Sequence, residues 1–202
     1  MRRLDEQIGF VTEADKLKGV LRQTHLAGLN RRENSAEHSW HLAIMVLALA
    51  EYAPPGADLG KVMAMVLIHD LVEIDAGDLF LYAGAAEQER QEAAERAAAA
   101  RIFALLPPDQ GAAFGQLWDE FTKRGTPEAR FARAIDRLQP MLENLAADGG
   151  TWREHGITAD QVLEKIELIR DGSAELGKLG EAIVREAVAA GVLAGSPSSM
   201  SG

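Results

Sequence analysis

The 202-residue chain has no cysteine, which removes disulfide cross-links, thiolate nucleophiles and thiolate metal ligands together. Aromatic residues are scarce, at 5%, while alanine and leucine abound, so the core is expected to consist of aliphatic side chains on helices. The longest apolar run, Leu42 to Ala50, falls far short of the ~20 residues that span a bilayer. The N-terminal MRRLDEQIGF lacks the apolar centre of a signal peptide, and a cytoplasmic protein with no membrane partner is expected. Basic residues are in deficit, 21 against 31 acidic ones, for a net charge of -10. That balance argues against a nucleic-acid polymer as ligand. A small anionic substrate stays compatible with it where a metal and one or two arginines make the site locally positive. No segment alternates with period two for long enough to read as a strand, and no internal repeat occurs, so the fold class is all-α. Length and composition (47% hydrophobic, 26% charged) fit one domain, residues 1–194, followed by a small polar tail, 195–202, expected to be disordered.

Punctuation along the chain sets the helices. Thr12 and Asp15 resemble a capping box ahead of a short helix carrying Leu17, Val20 and Leu21, and Arg22 to Asn34 reads as a polar, basic loop. Ser35 is expected to cap a helix from about Ala36 to Tyr52, apolar nearly all round after its first turn and therefore central in the core. Asp58 caps the next helix, which ends near Gly77. Further helices are expected over Glu87 to Leu106, after Asp109, from Thr126-Pro127 to about Ala147 with a kink at Pro140, from Thr158 to about Arg170, and from Ala174 to Ala190. The last of these is amphipathic and offers an apolar face.

The chemistry concentrates in Ile68 to Phe80, IHDLVEIDAGDLF, where an apolar run opens into acidic and imidazole side chains. On a helix, the adjacent His69 and Asp70 diverge by ~100° and can straddle one ion. Glu73 follows at i+4 from His69 and shares that face. Asp78, after Gly77, can turn back toward the site from a loop, whereas a solvated helix end accounts for Asp75. Acidic clusters at helix ends are mostly just solvated. Here the preceding Val62, Met63, Met65, Val66 and Leu67 make the segment too apolar for the surface, and a buried charge needs a partner or an ion.

His38 lies in the first turn of the core helix, where a local hydrogen bond would also explain it. His41, one turn on, reads as core or as support behind a ligand, and His25 and His155 as surface residues. Asp136 sits in mid-helix, a poor place for aspartate, with Arg133 and Arg137 as possible ion-pair partners. Together, His38, His69, Asp70 and Asp136 supply two imidazoles and two carboxylates from three helices.

The phrases NSAEHSWHLAIMVLALA, LIHDLVEIDAGDLF and RAIDRLQPML resemble the HD superfamily of metal-dependent phosphohydrolases, and more particularly its 5′-deoxynucleotidases, from about Leu17 to Leu145. The resemblance implies an HD-domain helical bundle with one divalent ion held by His38, His69, Asp70 and Asp136. It implies a catalytic role for Glu73 and for Asp78, and an early arginine gripping phosphate: Arg22, or Arg31 or Arg32 given the ambiguous loop register. It also implies a homodimer acting on a small nucleotide, releasing phosphate from (deoxy)ribonucleoside 5′-monophosphates. The tryptophan that such deoxynucleotidases place after the arginine is missing between Leu21 and Asn30. The donor set suits manganese, iron, cobalt, nickel or zinc. Competing readings are a hydrolase of another nucleotide, such as an alarmone or a nucleoside triphosphate, and a non-catalytic helical module with a vestigial metal site.

Overall fold

The computed structural model describes residues 2–195; the rest of the tail expected to be disordered, from 196 onward, lies outside the described residues. The chain opens with α1 (Arg2–Ala14) and a 3-10 turn over Asp15–Gly19, then an antiparallel ribbon of β1 (Leu21–His25) and β2 (Arg32–Asn34). α2 (Ser35–Ala48), α3 (Leu59–Ile68), α4 (Glu73–Ala76), α5 (Ala85–Phe103) and α6 (Pro108–Lys123) follow. They lead into α7 (Pro127–Ala146), α8 (Gly150–Glu154), α9 (Ala159–Gly172) and α10 (Ala174–Ala189). The fold is helical, as expected, and no helix among the described residues is long and apolar enough to cross a membrane.

Several boundaries depart from the sequence reading, each for a local reason. Thr12 is not a cap: its hydroxyl donates to the Ile8 carbonyl inside α1, and Leu21 belongs to a strand. The expected loop at 22–34 is the ribbon. Its inward side chains are the polar Arg22, Thr24 and Glu33 while Leu21 is exposed, the inverse of the apolar alternation that betrays a strand. Asn34, not Ser35, caps α2: its side chain accepts from the Glu37 N–H at 3.0 Å, and the Glu37 carboxylate accepts from the Asn34 N–H at 3.1 Å. α2 is not buried all round, because Trp40, Ile44 and Leu47 face outward. Asp109 lies inside α6, after Pro107 at the cap, and pairs with Arg3 of α1. α10 spends its apolar face on α9 and α7.

α7 is the spine, in contact with α2, α3, α6, α9 and α10. Thr126 caps it and Pro127 opens it, and the helix runs through Pro140 without interruption. Phe131, Ile135 and Leu138 are fully buried at its centre. Small residues set how closely α9 approaches: a Cβ on Gly172 would lie 2.3 Å from the Arg130 carbonyl oxygen and 2.7 Å from Ala134 Cβ. A second apolar cluster, built on Phe10, Ile68, Leu71, Val72, Ile102, Phe103 and Trp118, packs α1, α5 and α6 together. The segment Ile68–Val72 runs along this second cluster just after Met65 and Val66, which belong to the first. Its polar side chains are therefore enclosed by packed helices.

Gly172→Ala meets a backbone carbonyl that cannot rotate away, so a loss of ~1–3 kcal/mol in unfolding free energy is expected. Chemical denaturation measures it, and a change within about 0.5 kcal/mol, typical of a surface site, would contradict the close approach.

Candidate metal centre

Three segments deliver the acidic and imidazole groups to one point. The capping box starts α2 one turn before His38, so its ring enters the interior, where it is fully buried. α3 tightens into a 3-10 turn over His69–Val72, and that turn carries His69 and Asp70, both buried. Asp136 comes from the middle of α7 and is also buried. Asp136 Oδ1 lies 3.1 Å from His38 Nε2 and 3.7 Å from His69 Nε2. Asp70 Oδ1 is 2.9 Å from His69 Nε2, and its Oδ2 is 4.0 Å from His38 Nε2. The donor atoms of His38, His69 and Asp136 all lie within 4.8 Å of one another.

The hydrogen bonds behind the rings decide what their front nitrogens can do. His69 Nδ1 lies 3.0 Å from the Val66 carbonyl oxygen and must carry a hydrogen to donate there. His38 Nδ1 faces Gln139 Oε1 at 3.1 Å, and the Gln139 amide donates in turn to Glu33 at 2.8 Å. Each neutral ring thus points the lone pair of Nε2 at carboxylate oxygens, an arrangement that requires a positive charge between them. In the cation-free protein a proton serves: burial alone would lower the His69 pKa, but the carboxylates of Asp70 and Asp136 outweigh it and push it up to about 10. Burial opposes ionisation of Asp70 and Asp136 as well, yet the His69 ring and nearby guanidinium groups hold both below the usual carboxylate range. Two neutral imidazoles and two carboxylates, fixed from behind, fit a divalent transition metal ion without choosing among manganese, iron, cobalt, nickel and zinc.

Glu73 and Asp78 stand beside this cluster. Glu73 Oε2 accepts from the Ser35 hydroxyl at 2.6 Å, the contact that takes Ser35 away from capping. Burial, with Asp70 close by, raises the Glu73 pKa well above the ordinary value, and burial raises that of Asp78. Asp75 is turned to the other side, paired with Arg101 of α5.

Of the three arginines expected at a phosphate, only Arg22 reaches the site. It is ringed by carboxylates, 3.0 Å from Asp70, 3.4 Å from Glu33, 3.6 Å from Asp78 and 3.9 Å from Glu73. Arg31 precedes β2 and pairs with Glu37 on the surface, while strand alternation turns Arg32 away from Glu33's side, where it bonds Gln23 and Glu154. His41 lies behind the site, with Nδ1 3.3 Å from the Gln139 amide, and His25 pairs with Glu154 nearer the surface. His155 is exposed but stacks on Phe80, with ring centroids 4.4 Å apart.

Sequence reasoning missed Glu33 and Gln139. A carboxylate in a three-residue strand and an amide one turn after Asp136 give no motif to find. The cavity in front of the cluster, of about 370 Å³, is walled by Phe80, Tyr82 and Trp152, so aromatic surface comes from other segments than the one following Arg22.

A family profile described as an HD domain matches residues 14–176. A predicted metal-dependent phosphohydrolase from Magnetospirillum magnetotacticum MS-1, solved by crystallography, superposes with a TM-score of 0.91 at 53% identity, over 95% of this chain and 96% of that one. The 5'-deoxynucleotidase HDDC2 of Xenopus laevis is 27% identical over 135 residues, 64% of this chain and 65% of the relative. Its Homo sapiens counterpart is 24% identical over 133 residues, 63% of each. The chain thus spans a little under two thirds of the length of these curated relatives.

Two outcomes follow from the donor geometry. After chelation, added manganese or cobalt should raise the thermal midpoint of the wild type, since a ligand at 100 times its Kd stabilises by ~2.7 kcal/mol. Asp136→Ala should abolish that rise; an undiminished rise in a folded variant would place the ion elsewhere. Because the raised pKa leaves His69 protonated at pH 7 without a cation, cation binding there should release about one proton, read by calorimetry in buffers of different ionisation enthalpy.

Proposed function

The chain belongs to the HD domain family, and from that premise we propose that it is a metal-dependent phosphohydrolase releasing phosphate from (deoxy)ribonucleoside 5′-monophosphates. The convergence of His38, His69, Asp70 and Asp136 from three segments carries the reading. The names of its relatives, a predicted metal-dependent phosphohydrolase and 5'-deoxynucleotidases, support it. The aromatic wall of Phe80, Tyr82 and Trp152 suits a nucleobase as the non-reacting half of the substrate.

In this reading the four residues hold one divalent cation, which supplies a Lewis acid for the phosphoryl group. Glu73 orients the attacking water and takes its proton. Burial and the neighbouring Asp70 raise its pKa above the ordinary carboxylate value, which makes it a stronger base, and the Ser35 hydroxyl fixes one of its oxygens. Water oxygen bonds to phosphorus while the bond from phosphorus to the ester oxygen breaks. Asp78, also raised by burial, gives that oxygen its proton, and the products are a nucleoside and inorganic phosphate. Arg22 keeps Asp70, Glu73 and Asp78 from repelling one another apart. We place the enzyme in the cytoplasm and expect a homodimer. The outward residues Trp40, Ile44 and Leu47 of α2 offer the apolar surface for one, in place of α10, and sedimentation velocity reads the mass.

Glu73→Gln should keep fold and metal content while lowering kcat for phosphate release by ~10²–10⁴-fold. The measurement is phosphate release from a panel of ribo- and deoxyribonucleoside 5′-monophosphates, with an alarmone and nucleoside triphosphates alongside, for each divalent ion. A variant as active as the wild type removes Glu73 from the chemistry. A wild type active only on the longer nucleotides moves the substrate to that class.

A further inference from the structure

His38 and His69 differ in what holds their rings from behind. His69 Nδ1 is tied to a backbone carbonyl, that of Val66, which accepts a hydrogen and can do nothing else. His38 Nδ1 instead meets Gln139 Oε1 at 3.1 Å, and the two ends of an amide have nearly the same shape. Turned over, Gln139 would present an N–H donor, and His38 would have to carry its hydrogen on Nε2, the nitrogen that faces Asp136 at 3.1 Å. A neutral ring in that state has no lone pair to offer a cation from the front. Some other group must decide which end of the amide faces the ring.

Glu33 of β2 is that group. Gln139 Nε2 donates to Glu33 Oε1 at 2.8 Å, and a carboxylate offers acceptors alone, so the amide oxygen is left for His38. Oε2 of the same carboxylate lies 3.4 Å from His38 Nδ1 and 3.4 Å from Arg22 Nε, and it makes no hydrogen bond among the described residues. The second amide hydrogen of Gln139 faces His41 Nδ1 at 3.3 Å. The whole relay is enclosed, with exposures of 0% for His38 and Gln139 and 1% for Glu33. Enclosing a carboxylate is costly, and an apolar side chain would fill this space without that cost. What the carboxylate adds is direction.

We infer that Glu33 and Gln139 are positioning residues that lock His38 in the tautomer able to hold a cation, so that the ribbon, through β2, sets part of the affinity for that cation. The inference rests on the proposed reading for the presence of the cation alone and is testable without turnover. The probe is cobalt, titrated calorimetrically into chelated protein, with the visible absorption of the loaded protein reporting the ligand set. Glu33→Gln keeps the shape but lets the Gln139 amide face either way, and it should weaken cobalt binding by about ten- to a hundredfold and change the spectrum. The exchange of Glu33→Gln together with Gln139→Glu restores the direction at constant total charge. The carboxylate at 139 then accepts from His38 Nδ1 and from the amide at 33, whose oxygen is left facing Arg22. This double variant should regain most of the lost affinity and the wild-type spectrum, which a site that only needed a charge at position 33 would not do.

A folded Glu33→Gln protein with cobalt affinity within about twofold of wild type overturns the inference, as does an exchanged variant that binds no better than the single one. If Glu33→Gln fails to fold, the exchanged variant carries the test: the affinity and spectrum of the wild type support the relay, and a loss of about tenfold or more ends it. A wild type that binds no cobalt removes the cation and the relay together. If cobalt binding is lost in Glu33→Gln and regained in the exchanged variant, yet the wild type releases phosphate from no nucleotide, the hydrolase reading falls and the relay stands.

Discussion

Everything at the centre of this protein depends on enclosing five carboxylates, those of Glu33, Asp70, Glu73, Asp78 and Asp136, where packed helices leave them little hydration. Ionised carboxylates in such a place repel one another and lose hydration, and both costs run to several kcal/mol per group unless positive charge is interleaved. Arg22 answers four of them, and the front nitrogens of His38 and His69 face Asp70 and Asp136. The imidazole hydrogens are committed to the Val66 carbonyl and the Gln139 amide, so what remains between the rings and the carboxylates is a place for a cation or its protonic substitute. The fold can be read as the scaffold that makes this congestion tolerable. Two apolar clusters grip the segments that supply the ions, and α7, anchored in the larger one, contributes Asp136, Gln139, Arg133 and Arg137 on successive turns of one rigid rod.

The helices were legible because their punctuation is chemical: Asp58 and Thr126 cap as their residue types predict, and Gly77 ends α4 with φ 75°. The cluster of His38, His69, Asp70 and Asp136 was legible because such side chains are anomalous inside apolar helices. The ribbon was not, and the reason is the site itself. A strand that presents Arg22, Thr24 and Glu33 to an interior lined with ions has its polarity inverted, so the apolar alternation that marks strands is absent. Missing the ribbon left Arg22, Arg31 and Arg32 equivalent, whereas strand alternation turns Arg22 inward and Arg32 outward, and Arg31 falls in the turn before β2, paired with Glu37. Asn34 and Ser35 are equally good caps by type, and the choice between them is made by Glu73, 38 residues further on, which engages the Ser35 hydroxyl. Gln139 and Glu33 carried no signal because their roles exist only once α2, α7 and β2 are adjacent.

The ribbon also divides the molecule by the kind of force that holds it. None of the residues of β1 or β2 belongs to either apolar cluster; the two strands are attached through Arg22, Glu33, Arg32 and His25 to partners on other elements. Oily packing, which tolerates acid and salt, maintains the helices, while the ribbon is retained by ion pairs that protonation and concentrated electrolyte both erode. Ionisation thus governs how the ribbon is seated, and hydrocarbon burial governs the helices behind it.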